Sequence, residues 1–206
     1  HRDVAELLLD RGAEDGLTVN GWTALHLACQ NGHLEVARFL VEKGGAELVM
    51  AEDDTAGTAL HQVCFTGHLE VARLLVDAGG VELMMADADA AGTALHFASV
   101  NGHLEVARLL VDAGGVELMM AKDDTAQTAL HLACQNGHLE VTRLLVEAEG
   151  GLDLLKAKDD EGNSPIDLAT MGHSREHADI AAMLRELNEA NLGGGGKAVG
   201  GGGGGK

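Results

Sequence analysis

The chain has 206 residues, of which 46% are hydrophobic but only 2% aromatic, with no Tyr, so its core must be built from Leu, Val, Ala and Met. A formal net charge of −19 at pH 7 argues against a phosphate-binding surface, which needs clustered Lys and Arg, and disfavours anionic membranes in the same way. No apolar run approaches the roughly 18 residues that a spanning helix requires, so neither nucleic acid nor membrane insertion is expected.

Residues 1–16 begin with Val4, Leu7 and Leu8 at helical spacing ahead of Gly12. They read as the second helix of a unit. Four full units follow over residues 17–52, 53–87, 88–122 and 123–158, with Thr23, Thr58, Thr93 and Thr128 at steps of 35 residues. A fixed period in this range means stacked supersecondary units rather than one globular core.

Each Thr is placed to cap a short helix, Ala-Leu-His-x-x-Cys/Ser, that stops at Gly32, Gly67, Gly102 or Gly137. A second helix, Leu-Glu-Val-Ala/Thr-Arg-Leu/Phe-Leu-Val, carries its apolar stripe to a Gly-Gly pair, which reads as a terminator. The segment that follows, Val81 to Gly92 in the second full unit, has room for extended structure and is expected to form a hairpin-like finger. Residues 159–190 form a closing unit: Ser164 arrives one residue late, Pro165 takes the first helical position, Asp167 replaces His, and the helix Ala178–Leu187 has a polar surround. Residues 191–206, nearly all Gly from Gly193 on, are expected to be a flexible tail.

Thr-Ala-Leu-His-Leu-Ala-x-x-x-Gly-His-Leu-Glu-Val-Ala-Arg-Leu-Leu-Val resembles the ankyrin-repeat pattern. The resemblance covers roughly residues 1–190. It implies an all-α repeat fold, a helix-turn-helix solenoid with short hairpin-like fingers, which binds other proteins on its concave side. It also implies that His26, His61, His96 and His131, with Thr23, Thr58, Thr93 and Thr128, are structural struts. The chain departs from the family at the finger glycine two residues before the Thr, which is present as Gly21 and Gly162 but is Ala56, Ala91 and Ala126 in the middle units.

Catalysis finds little support. A His that recurs once per layer, with packed helices about 8–10 Å apart, does not converge on a metal whose ligands lie about 2 Å away. His33, His68, His103 and His138 are expected to start the second helix and pack locally. Only His173 and His177 stand at i,i+4, and Gly172 and Ser174 argue against the helix that a metal pair would need there. No metal, cofactor or enzymatic activity is expected. Cys29, Cys64 and Cys134 fall in register, with Ser99 in the third copy instead, and suit buried free thiols in a reducing compartment. The expected setting is intracellular and cytoplasmic, with the chain a monomer.

Residues 67–86 and 102–121 are identical, so specificity must lie in the fingers and inner helices. Trp22, Gln30, Asn31, Phe65, Thr66, Val100, Asn101, Gln127, Gln135 and Asn136 are the candidate contacts, with Trp22 and Phe65 as anchors. The finger residues Asp53, Asp54, Asp89, Asp123 and Asp124 permit two readings: carboxylates that cap their own turn, or an acidic ridge for a basic partner. The expected function is a protein-interaction scaffold, with a regulatory or tethering segment of a larger enzyme or channel as the alternative.

Overall fold

The computed structural model describes residues 20–89 and 91–194, with side chains as far as Asn191. The half unit expected over 1–16 and the tail from residue 195 onward lie outside the described residues. Inner helices Ala24–Gln30 (α1), Ala59–Thr66 (α3), Ala94–Val100 (α5), Ala129–Gln135 (α7) and Pro165–Met171 (α10) pack in one row. Outer helices Leu34–Val49 (α2), Leu69–Met85 (α4), Leu104–Met120 (α6) and Leu139–Glu147 (α8) form a second row, with Gly151–Leu154 (α9) and Arg175–Gly194 (α11) completing the closing end. The last helix is longer than expected at both ends and takes in residues 191–194.

The core lies between the two rows. Leu25, Leu60, Leu95 and Leu130 are fully buried from the inner side, and Leu40, Leu75, Leu110 and Leu145 meet them from the outer side. Truncating any of these to Ala removes buried apolar surface and leaves a cavity, which costs about 2–5 kcal/mol.

The Gly-Gly pairs do not end the helical path. Gly80 has φ 59° and ψ −153°, which turns the chain for one residue, after which Val81–Met85 resume a helical turn. Gly79 makes room rather than a bend, because a Cβ there would lie 2.6 Å from the Leu83 side chain that folds back over it. Leu83 and Met84 thereby enter the core, each contributing about 1.5–3 kcal/mol of burial. The same pattern recurs at Gly45 and Gly115. Val81–Met85 thus form a second helical turn, and the finger begins only at Ala86. In the fourth full unit the path differs: α8 ends at Glu147, Ala148 is extended, and Gly150 takes φ 78°. The single residue of late arrival at Ser164 is inserted at this exit.

Three of the fingers are held by their own first Asp. Asp53 Oδ1 accepts from the amides of Thr55 (2.8 Å) and Gly57 (2.9 Å), Asp123 Oδ1 from Thr125 and Gln127 (both 2.9 Å), and Asp159 Oδ1 from Glu161 (3.1 Å) and Asn163 (2.7 Å). In the finger at 86–92 the equivalent residue is Ala88, so the backbone pairing of Ala88 with Gly92 is kept but the carboxylate that fastens it is missing. Ala56 and Ala126 occupy positive φ, 54° and 59°, where the missing finger glycine would sit; at Ala91 the strain passes instead to Gly92, with φ 83°. Ala56→Gly and Ala126→Gly are each expected to stabilise the chain by about 0.5–1 kcal/mol, the relief of left-handed strain less the entropy of Gly. Urea midpoints that fall for both variants would contradict this.

Ser99 is the one break in the cysteine register. Its Oγ is buried without a partner, whereas Cys134 Sγ lies 3.9 Å from Thr142 Oγ1. Ser99→Ala removes an unpaired buried hydroxyl and is expected to raise stability by about 1 kcal/mol. A loss of stability measured by thermal melting would show that the hydroxyl is satisfied after all.

Candidate functional site

The recurring His residues act as latches in two directions. Nδ1 of His26, His61, His96 and His131 accepts from the backbone amide of Thr23, Thr58, Thr93 and Thr128 at 3.0–3.1 Å, with the Thr hydroxyl at 2.8–3.0 Å from the same atom. An amide can only donate, so Nδ1 carries the lone pair and Nε2 the proton. That Nε2–H reaches into the next unit, to the carbonyls of Gly57 (3.0 Å), Gln127 (3.2 Å) and Asn163 (3.3 Å). His61 is the exception. Its Nε2 is buried facing the carbonyls of Ala86 and Gly92 without closing a hydrogen bond to either. Burial lowers the pKa of all four imidazoles, that of His61 to about 4, so they stand neutral.

In the closing unit the acceptor is kept and the donor is gone. Asp167 Oδ2 takes the place of Nδ1, 2.8 Å from the Ser164 amide and 2.7 Å from its hydroxyl. The Ser164 hydrogen bonds hold this carboxyl down to about 2, with Lys158 Nζ at 3.2 Å assisting.

The second set of imidazoles reaches backward, which corrects the expectation of local packing. His103 Nε2 donates to Phe65 O at 2.9 Å and His138 Nε2 to Val100 O at 2.8 Å, each a carbonyl at the end of the previous inner helix. The ring lies over the preceding helix-ending glycine: a Cβ on Gly67 would come within 2.5 Å of His103 Nδ1. His177 completes the series, with Nε2 at 2.9 Å from Gln135 O and Nδ1 at 2.8 Å from Ser174 Oγ. Both of its ring nitrogens are therefore engaged within the chain. Arg175–Gly194 does supply the helix that the i,i+4 reading needed at His177, but His173 lies outside it.

The surface residues separate into those used by the framework and those left over. Asn31, Asn101 and Asn136 donate through Nδ2 to the carbonyls of Leu27 (2.8 Å), Phe97 (2.9 Å) and Leu132 (2.9 Å), closing their own helices, and Thr66 Oγ1 does the same to Gln62 O at 2.9 Å. Asp53 and Asp123 are committed to their turns. Trp22 is half-buried and stacks on His26, with ring centroids 6.1 Å apart, so it covers a latch instead of standing clear. Gln127 is half-buried, its amide held by Asp123 and its Nε2 at 3.5 Å from Asp159 Oδ2. Gln30, Gln135, Asp54, Asp89 and Asp124 are exposed.

Phe65, 55% exposed, and Val100, 37% exposed, come together with Ala91, Phe97 and Asn101 around an apolar groove of about 190 Å³ between the second and third full units. Phe97 packs edge-on against His61, with centroids 5.0 Å apart. Leu27 offers a further exposed apolar side chain on α1. Sequence reading missed Leu27, Ala91 and Phe97. The signal was available: the residue after each latch His points to the same face as the helix end three residues later.

The three thiols are buried and unpaired, and burial pushes Cys29 and Cys134 up to about 12 and Cys64 up as well. They are inert as nucleophiles. No helix among the described residues is long and apolar enough to cross a membrane. A protein-family model described as "Ankyrin repeats (3 copies)" matches residues 1–51, 46–120 and 114–193. No curated protein matches the chain.

Proposed function

We propose that this chain, which belongs to the ankyrin-repeat family, is a non-catalytic scaffold that binds a protein partner of basic character along the concave face formed by its inner helices and fingers. Ankyrin repeats generally mediate protein–protein interaction. The observation that carries the reading for this chain is the concentration of exposed Leu27, Phe65 and Val100 on the inner helices, beside fingers that expose Glu52, Asp54, Asp87, Asp89 and Asp124. Apolar side chains in a charged rim are the usual composition of a protein interface. The imidazoles support the non-catalytic reading, because Nδ1 of His26, His61, His96 and His131 is occupied by a Thr amide and Nε2 of His103, His138 and His177 by a backbone carbonyl. Inert, unpaired thiols support a reducing, cytoplasmic setting.

Affinity capture with the full chain and identification of the retained protein test this reading. Phe65→Ala with Val100→Ala is expected to weaken capture at least about ten-fold, and charge reversal of Asp54, Asp89 and Asp124 to abolish its salt dependence. Capture indifferent to both sets, yet lost on changing exposed residues of the outer helices, would place the interface on the opposite side.

A further inference from the structure

The junction between the second and third full units is the irregular one. His61 is the latch without its forward hydrogen bond, Ala88 removes the carboxylate that fastens the other fingers, and the apolar groove opens at the same place. At about 190 Å³ the groove is smaller than the roughly 300–1,000 Å³ clefts that hold small molecules, and suits one side chain. Its walls, Phe65, Ala91, Phe97 and Val100, offer no charge. The exposed carboxylates of Glu52, Asp54, Asp87, Asp89 and Asp124 stand on the three nearest fingers, where Lys122 is the only cation among the described residues.

We propose that this groove receives a single large apolar side chain, Leu or Phe in type, from a Lys- or Arg-rich peptide segment whose flanking cations lie against the fingers. The inference deepens the scaffold reading and rests on it. The acidic fingers raise the local concentration of cationic segments in general, whereas the groove chooses among them by the anchor. Phe97 is the floor, packed edge-on against the His61 ring, and the exposed Phe65 is the outer wall.

The probes are nonapeptides Gly-Arg-Lys-Gly-X-Gly-Lys-Arg-Gly with X as Leu, Phe or Ala, and the Leu peptide with every Lys and Arg replaced by Glu. Titration into the full chain is expected to show the Leu and Phe peptides binding about ten-fold more tightly than the Ala peptide, with no binding of the Glu peptide. Phe65→Ala should erase the preference for Leu over Ala while leaving the Ala peptide's affinity unchanged. Hydrogen exchange should slow over residues 91–101 and not along the outer helices.

Equal affinity for the Leu and Ala peptides, binding of the Glu peptide as tight as the Leu peptide, or no binding by any peptide at millimolar concentration would each overturn the proposal. If any of these occurs while capture of the natural partner still depends on Phe65 and Val100, the anchor inference fails and the scaffold reading stands. If capture is also indifferent to them, both fail.

Discussion

His96→Leu is expected to lower the unfolding free energy by about 3 kcal/mol, and His61→Leu by about 1–2 kcal/mol less. At His96 the buried Thr93 amide and hydroxyl lose their partner, and the half-buried Gln127 carbonyl, which also accepts from the Asp123 amide, loses the second of its two donors. Each lost hydrogen bond of this kind costs about 1 kcal/mol net. Only the Thr58 amide and hydroxyl lose a partner at His61, and the same substitution removes an imidazole N–H that is buried without an acceptor. Urea denaturation of the two variants decides the matter. Equal losses, or a larger loss at His61, would refute the assignment of the forward hydrogen bond.

Acidification from pH 7 to pH 5 is expected to destabilise the fold, with His61 alone contributing about 2 kcal/mol. Its pKa is lowered from 6.5 to about 4, so below about pH 6.5 the unfolded chain binds a proton that the folded chain refuses. Stability is therefore lost as pH falls through that window, until the folded His61 itself titrates near 4. His26, His96 and His131 shift in the same direction and add to the slope. Asp53 beside His26 and His61, and Asp123 beside His96, oppose the burial effect without reversing it. Protonation would also place a hydrogen on Nδ1, where the Thr amide already donates. Urea midpoints measured at pH 7 and pH 5 should separate, and His61→Leu should narrow the separation. A midpoint that is flat or rises on acidification would exclude neutral buried imidazoles.

The period and the Thr, Leu, His and Gly positions were legible in the sequence because they recur, and recurrence exposes anything common to every layer. What was not legible depends on contacts between layers. His103 is bonded to a carbonyl 38 residues earlier, a separation that no local pattern reveals. Gly79-Gly80 reads locally as a stop, and only the burial of Leu83 and Met84 turns it into a bend. Asn31, Asn101 and Asn136 looked like free contact residues because hydrogen bonds to their own helix ends leave them at the surface. Trp22 looked like an anchor by type, but it lies against His26. Phe65 and Val100 were found from type and position, yet the groove they share needed Phe97 and Ala91 from the neighbouring layer.

Asp167 gives the latch series a direction, because it breaks the alternation of acceptor and donor. Every latch His both accepts within its own unit and presents a donor to the unit ahead, whereas Asp167 accepts and presents none. A duplicated unit spliced in before residue 159 inherits a donor behind it and supplies one ahead, so the stack can lengthen from within. A unit laid against the far side of Asp167 would find no imidazole N–H for its finger carbonyl, so that junction would have to be held by other contacts.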